Sequence, residues 1–364
     1  MRVKLKDVCE KATSNLKQSD ILSIGGTYPV YGASGYLGNI DSYHQDKPYI
    51  AVVKDGAGIG RTAILPPKSS VIGTMQYLIP KENVMPEYLY YVVKHMRLQK
   101  YYTGATIPHI YFKDYQNEEF NLADSIRQRE IVKVFKNVED TIRYQEIEIN
   151  KFDELIKARF IEMFGDPIRN PYGWYNDCLN NVCTKINDGT HCSPESFDKG
   201  DYMYITAKNI KQNGLDLSNV TYVSEKVHKP IYQRCNPEFG DILYIKDGAT
   251  TGIATINTMK NEFTLLSSVA LLKYDRSLIN GYYLIHLLNS KEMYSKIRKN
   301  MGGAAITRLT IAKIKEIKVI VPPIDLQNQF ADFVRQVDKS REEVKKSLEK
   351  TQQLYDSLMQ EYFG

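Results

Sequence analysis

The stretch Ser125–Gly165 contains neither proline nor glycine before its final residue, and its apolar side chains recur at helical spacing. Ile131, Phe135, Val138, Ile142, Ile149, Phe152, Ile156 and Met163 follow the alternating three-and-four step of a coiled-coil seam, interrupted by Gln145 and by Arg159, beside which sits Phe160. The spacing predicts one helix, reaching roughly 60 Å at 1.5 Å per residue. That exceeds the width of a small domain and leaves an apolar stripe that needs a partner.

The same stripe returns at a constant offset of 199 residues. In Ile324–Gly364 the residues Phe330, Val334, Val337, Val344, Leu348, Tyr355, Leu358 and Tyr362 fall on the matching seam. Gln327 matches Gln128, Leu354 matches Leu155, and Phe363-Gly364 matches Phe164-Gly165. The chain therefore contains one helix twice, and each copy is expected to be the partner of the other. Polar residues enter the seam at different places, Gln145 in the first copy and Arg341 and Thr351 in the second, a device that fixes register and partner choice. Amphipathicity alone does not require a matched Phe-Gly end.

The segments outside the helices repeat as well. Leu5-Lys-Asp-Val8-Cys9-Glu-Lys11 is echoed by Leu179-Asn-Asn-Val182-Cys183-Thr-Lys185 at an offset of 174. Lys54-Asp-Gly56-Ala-Gly-Ile-Gly60 is echoed by Lys246-Asp-Gly248-Ala-Thr-Thr-Gly252 at 192, and by Ile107 and Ile306 the offset is 199. An offset that grows by 18 and then by 7 describes two diverged copies of one unit, the second lengthened by insertions.

Each globular copy reads as mixed α/β. Expected strands are Tyr49–Lys54, Thr62–Leu65 and Met75–Ile79 in the first, and Tyr202–Thr206, Val220–Val223, Ile242–Lys246, Ile253–Ile256 and Val269–Tyr274 in the second. A helix from Pro86 to about Tyr102, with proline in a favoured first-turn position, corresponds to one over Gly281–Lys299. Short strands at Phe120–Leu122 and Ile317–Val321 lead into the long helices. The predicted class is α+β: globular domains at 1–124 and 166–323, long antiparallel helices at 125–165 and 324–364 forming a coiled coil, and an internal pseudo-twofold repeat.

Hydrophobic content of 43% suits globular folding, and no apolar run approaches a membrane span. The start, MRVKLKDVCEK, lacks the apolar core of a signal peptide, so a soluble, cytoplasmic protein is expected. Five cysteines with no CxxC pair argue against a disulfide framework or a zinc ribbon. The overall charge of +5 divides into −2 on the two helices and +7 on the globular parts, which is where an anionic partner is expected.

Several strings imitate catalytic motifs. Asp55-Gly-Ala-Gly-Ile-Gly60-Arg-Thr62 looks like a phosphate or adenosylmethionine loop, yet it is one residue short of a P-loop and carries Arg61 where the lysine belongs. In the second copy Gly58 becomes Thr250 and Arg61 becomes Ile253, so a turn between strands is the better reading. Glu316-Ile-Lys318 matches the end of a nuclease motif, but its counterpart is Asn117-Glu-Glu119. Cys178, Cys183, His191 and Cys192 fit no structural zinc spacing, and no metal is expected. No Gly-x-Ser-x-Gly, His-Glu-x-x-His or Asn/Asp-Pro-Pro-aromatic string is present.

What remains is polar loop chemistry suited to nucleic acid. Tyr31 and Ser34 in the first domain, and Thr190, His191 and Ser193 in the second, offer hydroxyls and an imidazole on Gly-supported loops. Lys47, Lys54, Arg61, Lys208, Lys211, Lys246 and Arg308 are candidates for phosphates or guanine edges, joined by Thr106, His109 and Thr250 on the equivalent loops. A nucleotide- or adenosylmethionine-dependent enzyme using Gly56–Gly60, or a coiled-coil scaffold that does not bind DNA, are the alternatives.

Taken together, these features resemble the specificity subunit of a type I restriction-modification enzyme. The resemblance rests on Tyr28-Pro-Val-Tyr-Gly32-Ala-Ser-Gly35, Asp188-Gly-Thr-His-Cys-Ser-Pro194, Gly240-Asp-Ile-Leu243 and Val321-Pro-Pro-Ile-Asp-Leu-Gln327, together with the domain-helix-domain-helix order. Leu326-Gln327 and Arg127-Gln128 stand where members often have Glu-Gln, and Ala123-Asp124 replaces the double proline in the first copy. The resemblance implies a non-catalytic subunit with two target-recognition domains, each reading half of a bipartite, asymmetric site in double-stranded DNA. It also implies that the helix pair holds the domains apart and docks two methyltransferase subunits. Adenosylmethionine would belong to those partners, no cofactor would be bound by this chain, and a motor-nuclease subunit is a further implied partner.

Overall fold

The computed structural model describes residues 1–21, 26–104, 108–299 and 308–364. The chain divides into two compact units, Met1–Ile147 with Lys345–Gly364, and Glu148–Val344. Among the described residues no helix is long and apolar enough to cross a membrane.

In unit 1 the central layer is an antiparallel sheet ordered Cys9–Thr13, Met75–Pro80, Tyr49–Val53, Thr62–Leu65. The strand YIAVV is buried at all five positions, and its alternation sends successive side chains to opposite faces. Ile50 and Val52 pack with Leu89 and Val92 of the helix Pro86–His95, while Tyr49, Ala51 and Val53 join Tyr77 and Val71 on the other face. There a smaller sheet is ordered Gly35–Ile40, Tyr28–Gly32, Ser70–Val71.

Unit 2 repeats the plan. Its sheet is ordered Cys183–Asp188, Val269–Tyr274, Ile242–Ile245, Ala254–Ile256. Ile242 and Tyr244 face the helix side with Tyr283 and Leu284, and Leu243 and Ile245 face Ile205, Phe263 and Leu265. The smaller sheet runs Thr221–Val223, Tyr202–Ile205, Phe263–Leu265. The stretch over which the offset grows by 18 contains the hairpin Ile210–Lys211/Gly214–Leu215 and the helix Glu225–Arg234.

Both crossing helices are shorter than expected. The first stops at His95, because Arg97 adopts a left-handed conformation (φ 49°) and a 3-10 turn, Leu98–Tyr101, follows. The second breaks at Ser290, whose extended ψ of 143° separates Gly281–Asn289 from Lys291–Lys299.

The two long helices are continuous over Ser125–Phe164 and Ile324–Phe363. Each unit holds part of both, running antiparallel. In unit 1 Gln145 Nε2 donates to Ser347 Oγ at 2.8 Å, and Phe135 meets Tyr355 and Phe363. In unit 2 Arg341 reaches Asp153 at 2.5 Å, and Phe160 and Phe164 meet Phe330. Gln145 and Arg341 thus make polar contacts across the seam, whereas Thr351, expected to do the same, donates its hydroxyl to Ser347 O of its own helix, and the buried rings sit at the ends. Phe164 and Phe363, absent from the predicted seam, are buried because they meet Tyr283 and Tyr88 of the globular layers as well as Phe330 and Phe135 of the partner helix, and Met359 joins the same unit 1 core.

One glutamine per unit ties helix to domain. Gln128 Oε1 accepts from Met85 N at 2.8 Å, and its Nε2 donates to Asn83 O (3.1 Å) and Ala123 O (2.9 Å). Gln327 does the same with Asn280 N (2.9 Å), Leu278 O (3.1 Å) and Pro322 O (2.8 Å). Beside each clamp a buried tyrosine hydroxyl donates to the strand that enters the helix, Tyr88 to Asn121 O and Tyr283 to Ile320 O, both at 2.9 Å.

His286 stands edge-on to Phe330. Burial, then the Arg341 guanidinium and the Lys157 ammonium, pull its pKa from 6.5 down to about 4. The folded ring stays neutral while the unfolded chain takes up a proton below about pH 6.5. Unit 2 should therefore lose stability as pH falls from about 6.5 toward 4, by at most roughly 1.4 kcal/mol for each pH unit from this ring. Melting temperatures of the wild type and of His286→Gln across that window check this. The variant should fall less steeply, and coincident slopes would remove the ring as the source.

Candidate nucleic-acid interface

The Lys-Asp-Gly turns sit where the second central strand ends, and each meets the segment that follows the domain's crossing helix. In unit 1 Ile110 N donates to Lys54 O (2.9 Å) and Gly56 N to Pro108 O (3.0 Å), which brings His109 opposite Asp55. In unit 2 Leu309 N donates to Lys246 O (2.8 Å), which brings Arg308 opposite Asp247. The backbone bridge is the same, and the side chain it carries differs.

The carboxylate is the hub of each cluster. Asp55 Oδ2 lies 3.0 Å from Lys54 Nζ, and Oδ1 lies 2.6 Å from His109 Nδ1. Asp247 Oδ2 lies 3.0 Å from Lys246 Nζ, and Oδ1 lies 3.2 Å from Arg308 Nε, close enough for charge pairing but off the line of a hydrogen bond. The outer groups stay in reach of solvent, with 37% of the His109 side chain and 59% of Arg308 exposed. Next to His109, Tyr111 stacks at a ring distance of 6.4 Å and carries Lys113 over its face.

Lys246 departs from the phosphate contact expected of it. Only 3% of its side chain is exposed, and its ammonium lies between Asp247 and Asp188, the latter at 3.5 Å. A buried ammonium is tolerated when paired in this way, so Lys246 positions carboxylates. Lys54 is more exposed, at 26%. Strand register supplies the reason: Asp188 pairs with Ala270, and Thr13, opposite Gln76, holds the equivalent place in unit 1. Asp188 further gathers His191 Nε2 at 3.1 Å and Arg234 Nη1 at 3.4 Å, and Arg234 also donates to Gly189 O.

The other predicted residues fall into two groups. Thr190, whose Oγ1 accepts from Cys192 N, holds the His191 loop against Leu265 O. Thr250 is exposed on the Asp247 turn, and Arg61 closes the Asp55 turn through Gly58 O at 3.3 Å. Lys208 belongs to the turn whose Ala207 N donates to Ser268 Oγ, and Ser268 O accepts from Lys246 N. Lys211 turns back to Lys208 O and Asp216. Ser34 and Lys47 are exposed on loops of the smaller sheet of unit 1, Ser193 is exposed beyond His191, and Tyr31 is half-buried against Tyr36. None of these four has a described contact with the two carboxylate hubs. Thr106 lies outside the described residues.

The sequence reading missed Asp55, Asp247 and Arg234, since carboxylates do not attract attention in a search for DNA contacts and Arg234 arrives from an unexpected helix, in which Pro230 masks the periodicity. The Gly56–Gly60 loop is a turn: the N–H groups of Gly56, Ile59, Gly60 and Arg61 donate to backbone carbonyls and so do not point into an anion cradle. Burial pushes the thiols of Cys9, Cys183 and Cys235 up to about 12, and Cys192 is exposed. Among the described residues no three His, Cys, Asp or Glu side chains are grouped to hold a metal.

Two carboxylate-centred clusters on Gly-supported turns, repeated with different solvent-reaching side chains, can donate hydrogen bonds to phosphates or accept and donate at base edges. A family model described as the type I restriction modification DNA specificity domain matches residues 1–152 and 171–353. The type I restriction enzyme MjaIX specificity subunit of Methanocaldococcus jannaschii is 22% identical over 304 residues, 77% of this chain and 68% of that protein. The putative MjaX specificity subunit of the same organism is 24% identical over 198 residues, covering 53% of this chain and 46% of its own length. The crystal structure of the S subunit of a type I restriction-modification system from M. genitalium shares the fold, with a TM-score of 0.61 at 16% identity over 100% of this chain and 96% of that one. A chain from work on complex assembly and conformational transition of the type I R-M system gives a TM-score of 0.62 at 15% identity, covering 100% and 97%. Since the two matched segments take in both repeats, each with its Lys-Asp turn, this chain belongs to the type I restriction-modification DNA specificity family.

Proposed function

We propose that the chain supplies sequence recognition to a type I restriction-modification complex. Each unit reads one half of a bipartite, asymmetric duplex site, two methyltransferase subunits dock on the repeated helices, and adenosylmethionine is held by those partners. The motor-nuclease subunit is a further partner, and the chain itself performs no chemistry. One observation carries this reading: the same backbone bridge presents a carboxylate-held nitrogen-bearing side chain twice, as His109 on Asp55 and as Arg308 on Asp247. A single-function enzyme has no use for two such clusters, whereas a reader of two unlike half-sites does. A repeated chain also suits contact with two copies of one partner.

The test is exchange. The purified chain alone should transfer no methyl group, and with a methyltransferase subunit it should direct adenine methylation to a two-part sequence. Replacing Met1–Ala123 by the equivalent region of a relative should alter one part and leave the other. Methyl transfer by the chain alone, or a change in both parts, would contradict the proposal. The loop-based enzyme alternative predicts heat on titrating adenosylmethionine into the chain, and none is expected.

A further inference from the structure

The two clusters differ in the polarity of what they offer. Building on the proposed DNA reading, we propose that His109 and Arg308 are the matched base-reading residues of the two units, with His109 selecting a base whose major-groove edge donates and Arg308 selecting guanine. The carboxylates assign the polarity. An ionised carboxylate can only accept, so the 2.6 Å contact with Asp55 Oδ1 places a proton on His109 Nδ1. In the neutral ring Nε2 is then an acceptor. It can take a hydrogen bond from adenine N6 or cytosine N4, and it has nothing to give O6 or N7 of guanine.

At the equivalent place the Nε end of Arg308 lies 3.2 Å from Asp247 Oδ1 as a charge pair. The outer guanidinium nitrogens are donors only, and their fork fits guanine O6 and N7. Both carboxylates carry a lysine on the remaining oxygen, at the same 3.0 Å. Each hub thus keeps its neighbouring lysine, buried against Asp188 in unit 2 and partly exposed in unit 1, and the outer side chain differs between histidine and arginine. Both outer side chains are more than a third exposed, so exchanging them opens no cavity.

Swapping them tests the assignment. The full chain, assembled with a methyltransferase subunit, is presented with a pool of randomised duplex oligonucleotides at about pH 8.5, well above the ordinary imidazole value. The bound fraction is then sequenced. The wild type should enrich a two-part sequence. His109→Arg should change one position of one half-site from adenine or cytosine to guanine and leave the other half intact. Arg308→His should do the converse in the other half. His109→Ala, a variant with little demand on folding, should relax preference at that same position by about tenfold without choosing a new base.

If the wild type enriches a two-part sequence but the swaps leave every position unchanged, or weaken all sequences alike, the assignment is overturned and the DNA-reading proposal stands. If the wild type enriches nothing, both fail.

Discussion

Gln128→Ala should destabilise unit 1 by about 4 kcal/mol, the cost of stranding Met85 N–H and the carbonyls of Asn83 and Ala123 beneath the helix. The side chain is 1% exposed, and water has little access to replace it. Gln128→Glu is the sharper variant, because it keeps the volume and loses the two N–H donors, setting a carboxylate against two carbonyls. It should be at least as damaging as alanine. Hydrogen exchange distinguishes the units: protection should fall in Met1–Ile147 and Lys345–Gly364, whereas Gln327→Ala should act on Glu148–Val344. A loss below about 1 kcal/mol for both substitutions would show that the clamp is not needed.

Phe135→Ala should cost unit 1 about 3–5 kcal/mol. The ring is fully buried and stacks on Tyr91 at 4.6 Å and Phe363 at 5.7 Å, with Tyr355 and Tyr362 edge-on at 5.4 and 6.0 Å. Four large aromatic neighbours cannot collapse onto a methyl group, so the hole persists. Phe135→Leu, which fills most of it, should lose less than half as much. Urea midpoints read by tyrosine fluorescence give the comparison, and equal losses for alanine and leucine would show that ring stacking outweighs volume.

How much of this could be read from the sequence follows the range of the interactions. The long helices were legible to within a residue, since periodicity and the constant offset are properties of the local string. Gln128 and Gln327 were visible as a matched pair, but their role was not, because the partners Asn83, Met85, Leu278 and Asn280 lie more than forty residues away. The Phe-Gly ends were likewise matched without a reason. Phe164 and Phe363 close aromatic clusters, and Gly165 takes a left-handed turn (φ 75°) just past the first helix. Lys54 and Lys246 look identical in sequence, and only the register that delivers Asp188 to one and Thr13 to the other makes one a buried strut and the other half-exposed. The helix breaks at Arg97 and Ser290 were missed because neither residue type is a strong local stop signal. In the second domain the insertions were inferred from the offset, without their secondary structure.

The split membership of unit 1 bears on the order in which the protein can be made. Unit 2 is continuous along the chain, from Glu148 to Val344, and has all its parts as soon as that stretch has left the ribosome. Unit 1 begins first yet lacks Lys345–Gly364, which brings Tyr355, Met359 and Phe363 to its core. At about 5–20 residues per second the wait lasts on the order of ten seconds or more. During that time Phe135 and the aromatic face of Pro86–His95 have no cover from the second long helix. The earlier-born unit is thus the later to be completed, and nascent chains stalled before Lys345 would carry one finished unit while the other is still exposed to chaperones and to other chains.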